Sequence, residues 1–323
     1  MRKYRVLRVS ALILAVILAI LSASACGQKG PTEVQRLAAV ADKFFAAGKT
    51  KVVSVDDVYN NIVKAKDPGW QIVDIRSADH YALGHVEGAI NIPYKTVVQN
   101  IDKFKKDKKI LVICYTGQTA GQTSALLNML GYDASSMSFG MLGWTKDEKI
   151  LGIKPWNCQA GEYPVTTAVP DVKADNKLPE LKTKIADDNK LILDRAGAYL
   201  ALGKAASIKA ADINTNITAK DASYFYVDVR KAEHYAKGHA TGAINIPLTE
   251  IAKEASLKKL PTDKKIVLFC YSGQSASQAT IFLNMLGYDA YAAGQGMMAW
   301  TSKEDIIGTK PFGCKQPEYP TAK

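Results

Sequence analysis

Cys114 opens the run Cys-Tyr-Thr-Gly-Gln-Thr-Ala, and Cys270 opens Cys-Tyr-Ser-Gly-Gln-Ser-Ala. A cysteine has useful chemistry when it is a thiolate, which is both nucleophile and leaving group. Each of these cysteines follows a short apolar run, Ile110 to Ile113 and Ile266 to Phe269, that reads as a buried parallel-type strand. After Cys114 the pattern turns helical, with Ala125, Leu126, Met129 and Leu130 on one face and Gly131 as a C-cap. The thiol is thus expected at a strand end, before a tight loop and a helix N-terminus. Successive N–H groups of such a loop, with the helix dipole, create positive potential at one point. The expectation is a thiol pKa lowered toward neutrality. Gly117 and Gly273 give the loop its backbone freedom. The hydroxyls of Thr119 and Ser275 are placed to donate to the sulfur or to a bound anion.

The elements that position these loops occur twice. Gly48 and Gly203, each ending a helical stretch (about Val34 to Ala47 and Ile192 to Leu202), lie 203 − 48 = 155 residues apart. The offset is 228 − 74 = 154 for Asp74 and Asp228, and 270 − 114 = 156 for the cysteines. A period this long duplicates a whole α/β domain rather than a solenoid repeat. Strands at 71–75 and 110–113 with a helix over 123–130 imply a parallel sheet covered by helices on both faces. Ligands of such sheets bind beyond the strand carboxyl ends, where the cysteine loops fall.

Four blocks together resemble the rhodanese-like (sulfurtransferase) family in tandem. The cysteine loops are similar to its C-Y-x-G-x-S/T loop. Asp74-Ile-Arg76 and Asp228-Val-Arg230 resemble its D-x-R. The stretches Gly84-His85 to Pro93 and Gly238-His239 to Pro247 resemble its G-H-x-x-G-A-x-N-I-P segment, and Trp144 and Trp300 fall in its C-terminal tryptophan block. The resemblance implies Cys114 and Cys270 as nucleophiles that take the outer sulfur of thiosulfate, release sulfite and become persulfides. A thiol or other thiophile would then accept the sulfur. Tyr115, Thr116, Gly117, Gln118 and Thr119, with Tyr271, Ser272, Gly273, Gln274 and Ser275, would form the substrate loops. Asp74, Arg76, Asp228 and Arg230 are expected to be charge pairs that fix the loops, and His85 and His239 to tie them by hydrogen bonds. Trp144, Trp300, Met141, Met297 and Met298 are expected in core or pocket wall. Two departures bear on specificity: Thr119 and Ser275 stand where many relatives have arginine, and His80 and His234 where many have an acidic residue. Phosphatase-type cysteine loops need an arginine six residues after the cysteine, and Ala120 and Ala276 exclude that chemistry. No metal and no organic cofactor are implied.

Other readings remain. The same loops would suit a non-catalytic sulfur- or oxyanion-binding module, or a thiol protein handling other chalcogen oxyanions such as selenite. Cys158 and Cys314 each lie 44 residues after a nucleophile, 158 − 114 and 314 − 270. They could be resolving thiols for Cys114 and Cys270, pair with each other, or be inert.

Residues 1–25 have the form of an export signal: Arg2, Lys3, Arg5 and Arg8, an apolar run from Ala11 to Leu21, then Ala23-Ser-Ala25 before Cys26. Cys26 fits lipidation, which would hold the protein at a membrane surface of the cell envelope. Simple cleavage leaving a free thiol is the alternative. The expected organisation is a tether over 26–33, a first domain over 34–165, a linker over 166–189 and a second domain over 190–323. The net charge of +11 falls to 11 − 4 = +7 without the leader's four basic residues. That charge lies in lysine-rich loops, a pattern of solvated faces that favours small anions over nucleic acid.

Overall fold

The computed structural model describes residues 30–48 and 50–323. The residues expected to form an export signal, and Cys26, lie outside the described residues. In the first half, β1 (Val52–Val53), β2 (Trp70–Asp74), β3 (Ile90–Asn91), β4 (Lys109–Ile113) and β5 (Asp133–Met137) form one sheet in the order β1-β5-β4-β2-β3. All of its pairs are parallel. A short strand β6 (Val165–Thr166) follows. The second half has β7 (Ser207–Ile208), β8 (Tyr224–Asp228), β9 (His239–Ala240), β10 (Ala243–Asn245), β11 (Lys265–Phe269) and β12 (Asp289–Ala293). Its sheet, β7-β12-β11-β8-β10, repeats the first strand for strand and is also all parallel. The α/β class and its tandem parallel sheets are as the alternation of patterns implied.

The central strands are buried on both faces, and their period of two divides the interior. Ile110, Val112 and Cys114 face one core, while Leu111 and Ile113 face another with Met137 and Trp144. Likewise Ile266, Leu268 and Cys270 face the first core, and Val267 and Phe269 face a third with Trp300. The first core is shared by the two halves. Four helices fill it: α1 (Glu33–Phe45), α2 (Gln118–Met129), α4 (Asp188–Ala201) and α5 (Gln274–Leu286), α3 being Gly140–Trp144. Every residue of α5 but Ser275 is buried. Its polar residues are buried with the rest, and α2 and α5 pack on each other, Gln122 Nε2 donating to Thr280 Oγ1 at 2.9 Å.

Helix boundaries differ from the apolar pattern for identifiable reasons. Helix α2 begins at Gln118, five residues before Thr123, because its first turn is polar in sequence yet buried. Helix α4 begins at Asp188, ahead of Ile192, because the Asp187 carboxylate accepts the Lys190 N–H at 2.8 Å and caps it. The polar stretch before it is held to the body by a few groups. Val172, Leu178, Leu181 and Ile185 pack on the shared core, and Glu33 accepts from the Thr183 hydroxyl at 2.7 Å.

The segment that leaves each half crosses to the other. Tyr163 N–H donates to the Trp300 carbonyl at 3.0 Å, Trp300 Nε1 donates to Pro164 O at 3.0 Å, and β6 pairs antiparallel with β9. The chain terminus does the reverse. Tyr319 N–H donates to Trp144 O at 3.3 Å, Trp144 Nε1 to Pro320 O at 3.1 Å, and Ala322 bridges His85. Cys158 and Cys314 lie on these two arms and are joined in a disulfide, with Cα atoms 5.7 Å apart. Their separation of 156 residues equals that of Cys114 and Cys270. The bond therefore links equivalent points where the arms meet. Of the three readings of Cys158 and Cys314, pairing with each other holds. A resolving role toward the nucleophiles does not, because the crossing carries both thiols to the meeting of the arms.

Disulfides typically stabilise by about 2–4 kcal/mol, mainly by constraining the unfolded chain. The double variant Cys158→Ser/Cys314→Ser should lose that much stability in denaturant unfolding. It should match the reduced wild-type protein. Equal stability of the oxidised wild type and the variant would contradict the clamp.

Candidate active site

Each nucleophile sits where β4 or β11 gives way to the N-terminus of α2 or α5. Gly117 and Gly273 precede these helices with φ of 83° and 85°, the left-handed region open to glycine. That turn folds the loop back over the sulfur. Cys114 Sγ accepts from the N–H groups of Gly117 at 3.1 Å and Ala120 at 3.3 Å. Cys270 Sγ accepts from Gly273 N–H at 3.0 Å. The outer wall holds the loop from behind: Met141 and Leu142 N–H donate to the carbonyls of Cys114 and Tyr115 at 2.8 and 2.9 Å. Gly140 makes this approach possible, since a Cβ there would lie 2.3 Å from Cys114 O, and Gly296 repeats the situation at 2.4 Å from Cys270 O.

The electrostatics correct one expectation. Both thiols are 1 % exposed, and burial pushes both pKa values above the ordinary range. The Thr119 side chain and the N–H groups of Ala120, Thr116 and Gly117 pull Cys114 down, as Ser275, Ala276, Ser272 and Gly273 do for Cys270. Desolvation of the thiolate outweighs these donors. The cradle is correctly aimed, but in the unliganded protein the sulfur is closed off from water.

Asp74 and Arg76 are both fully buried and paired by several bonds. Arg76 Nη2 donates to Asp74 Oδ2 at 2.7 Å and to Gly84 O at 2.7 Å, and Nη1 donates to Ile150 O at 2.5 Å. Arg230 treats Asp228, Gly238 and Ile306 in the same way. The guanidinium thus ties the strand end to two surrounding loops. Asn91 and Asn245 complete the tie, each donating to the carbonyls of both pair members at 2.8–3.0 Å.

The histidines divide by position. His85 and His239 stack on Tyr81 and Tyr235 and hydrogen-bond their carbonyls through Nδ1. His80 and His234 engage the loops directly, with Nδ1 2.7 and 2.8 Å from the hydroxyls of Tyr115 and Tyr271. The residues at which the sequence departs from the usual pattern are therefore the ones that hold the tyrosine after each nucleophile.

Gln118 and Gln274 have a different task from the one expected of them. Gln274 Nε2 donates to Met137 O at 3.2 Å and its Oε1 accepts Phe139 N–H at 3.1 Å, so it clamps the opposite half. Gln118 Oε1 accepts from Ser207 Oγ at 3.3 Å, also across the interface. Their side chains point between the halves because α2 and α5 meet there. Residues absent from the sequence reading also gather near Cys114. A cavity of about 140 Å³ is lined by Thr119, Tyr94 and Lys95 with Tyr199 and Lys204 of the second half. Burial pushes both phenols upward, Tyr94 strongly, so they stay protonated donors. No local motif marks these residues, which converge only through the packing of α4 on the first half.

This fold and site define a family. The rhodanese-like domain model matches residues 54–147 and 209–303, and the chain belongs to that family with two domains in tandem. The thiosulfate sulfurtransferase GlpE of Pseudomonas paraeruginosa is 34% identical over 80 residues, covering 24% of this chain and 73% of that protein. The thiosulfate sulfurtransferase PspE of Escherichia coli is 39% identical over 62 residues, 19% of this chain and 60% of that one. A solved thiosulfate sulfurtransferase from Pseudomonas aeruginosa covers 88% of this chain and 50% of its own at 17% identity, with a TM-score of 0.30, too low to carry an argument. Family and relatives support activity of the sulfurtransferase type.

Two outcomes follow from this geometry. With thiol pKa values raised by burial, alkylation of Cys114 and Cys270 by iodoacetamide should rise roughly tenfold per pH unit between about pH 7 and 9. A plateau already reached at pH 7, read by peptide mapping, would show an activated resting thiolate instead. Arg76→Met leaves Asp74 buried without its partner and should cost about 3–5 kcal/mol in denaturant unfolding.

Proposed function

We propose that the protein is a sulfurtransferase that carries sulfane sulfur from thiosulfate, or a similar small anion, to a thiophilic acceptor through persulfides on Cys114 and Cys270. The observation that carries this reading is the N–H cradle on each sulfur, Gly117 and Ala120 on Cys114 and Gly273 on Cys270. Donors placed this way stabilise negative charge on sulfur. The thiolate attacks the outer sulfur of thiosulfate, the S–S bond of the donor breaks, and sulfite leaves with the electron pair. The new terminal sulfur, as a persulfide anion, remains in reach of the cradle. Attack by the acceptor on that sulfur returns the cysteine thiolate.

Because burial raises both thiol pKa values and a dianion nearby opposes a second negative charge, the thiol proton must pass to water as the donor enters. The N–H cradle stabilises the thiolate left behind. Exposed Lys95 at the small cavity complements the donor's sign, whereas Lys204 there is already paired with Asp289 at 2.5 Å. The leader and Cys26 support an exported protein held at the envelope by a lipid anchor. The Cys158–Cys314 disulfide supports the same oxidising setting.

The test is intact-mass spectrometry of the leaderless protein before and after thiosulfate, with Cys114→Ala and Cys270→Ala beside it. The nucleophiles are reduced and the arm disulfide is scored separately. The expected result is one added sulfur per intact nucleophile, lost site by site in the variants. No added sulfur at either cysteine would overturn persulfide chemistry and leave the loops as anion-binding sites.

A further inference from the structure

Gln274 follows Cys270 by four residues, yet its side chain serves the other nucleophile. It is the first residue of α5 and is 2% exposed. Its backbone lies against the first turn of α2, where a Cβ on Gly121 would be 2.9 Å from Gln274 O. From there the amide reaches the loop that holds Cys114. A Cβ on Gly117 would lie 2.5 Å from Gln274 Nε2, so the amide packs on the residue whose N–H donates to Cys114 Sγ at 3.1 Å.

The same amide holds the wall behind that loop. Its Nε2 donates to the carbonyl of Met137, the last residue of β5, at 3.2 Å, and its Oε1 accepts Phe139 N–H at 3.1 Å. There the chain turns sharply into α3, with Phe139 at φ 55°. A bulky side chain keeps that left-handed conformation only where its surroundings hold it. The residues just beyond are those that back the nucleophile. Gly140 lies against Cys114 O, and Met141 and Leu142 N–H donate to the carbonyls of Cys114 and Tyr115. Gln274 therefore holds the cradle from two directions, at the Gly117 donor and at the wall. Both hydrogen bonds of its side chain go to the first half, and neither to its own.

The reciprocal residue is alike in place and unlike in bonding. Gln118 Nε2 lies against Gly273, 2.5 Å from the position of a Cβ there. The carbonyl equivalent to that of Met137 belongs to Ala293 (293 − 137 = 156), and the N–H equivalent to that of Phe139 belongs to Gln295 (295 − 139 = 156). Gln118 bonds neither. Its Nε2 has no hydrogen-bond partner among the described residues, and its Oε1 accepts from Ser207 Oγ at 3.3 Å. Gln118 touches the Cys270 loop without tying the turn behind it.

We propose that Gln274 is a positioning residue for Cys114, so that the first nucleophile's site is complete only with a side chain from the second half, whereas the Cys270 site has no such tie from Gln118. Gln274 acts through the Gly117 N–H, since a donor stabilises charge on sulfur only while its distance and direction are kept. The consequence for turnover rests on Cys114 being the attacking thiolate of sulfur transfer. The consequence for the thiol itself does not.

Gln274→Met keeps the volume against Gly117 and removes both hydrogen bonds. Site-resolved peptide mapping of the full disulfide-bonded protein should show thiosulfate loading of Cys114 slowed roughly tenfold, the loss expected for one bond to a charged group. Loading of Cys270 should be slowed far less, although Cys270 is the nearer cysteine in sequence. The pH profile of iodoacetamide alkylation should move to higher pH for Cys114 and keep its place for Cys270. Loosened packing would do the opposite, because water admitted to the sulfur lowers its pKa. Gln118→Met should slow Cys270 several-fold less than Gln274→Met slows Cys114. If the methionine variant does not fold, Gln274→Asn, whose shorter amide falls short of both partners, provides the same comparison. Equal slowing of the two cysteines, a larger effect at Cys270, or a Cys114 profile that is unchanged or moved to lower pH would each overturn the proposal. If the wild type takes up no sulfur, the sulfur-transfer reading fails, and the alkylation profiles still decide the role of Gln274.

Discussion

Helices α2 and α5 impose the constraint on which the rest of the molecule depends. Each carries the N–H groups that hold a nucleophilic sulfur, and each is buried on nearly every side. The face on which they meet is small and polar yet buried: Gly121 lies against the Gln274 carbonyl, and Gln122 Nε2 donates to Thr280 Oγ1 at 2.9 Å, so its polar groups find partners only on the other helix. The duplicated chain resolves this by placing the two helices against each other. One core then serves two domains, and the residues from Glu33 to Lys323 form a single compact unit.

That contact brings the two sites together. The cysteines face the shared core from opposite sheets, and the first residue of each helix, Gln118 or Gln274, reaches into the other half. The crossing arms close the arrangement from outside, each covering the tryptophan of the other half and meeting at Cys158 and Cys314. A loss of packing at either end of one domain is therefore felt by the other. The buried Asp–Arg pairs are less decisive for stability, since desolvating two charges offsets most of their attraction. Their value is geometric: Arg76 and Arg230 each fix three backbone segments in place, at a point where hydrophobic packing would fix none.

Near-symmetry also gives the differences their meaning. Duplicated sequences begin with identical surroundings for both cysteines, so each departure is a change in one environment with the other as its reference. Tyr94 and Tyr199 beside Cys114 have Leu248 and Phe44 as counterparts (248 − 94 = 154, 199 − 44 = 155). Gln295 and Trp156 have Phe139 and Phe312. Beside its loop the first nucleophile has two phenols where the second has Leu248 and Phe44. The two sites share a cradle and differ in what can approach it.

Much of this was legible in the residues themselves. The strands, the duplication, the loop after each cysteine and the Asp–Arg pairs are local features, written in patterns a few residues long, and period and spacing are sufficient to find them. What the sequence could not convey depends on which surfaces meet. Thiol acidity is one case: the loop predicts donors around the sulfur, but only packing sets how far water is excluded, and desolvation reverses the sign of the shift. The pairing of Cys158 with Cys314 is another, because three connectivities are equal in sequence and only the exchange of arms selects one. The opposite-half tasks of Gln118 and Gln274 follow from the same fact. Local structure is encoded by neighbours in the chain, whereas these properties arise between residues some 150 positions apart, brought together by the need of two helices to bury the same kind of face.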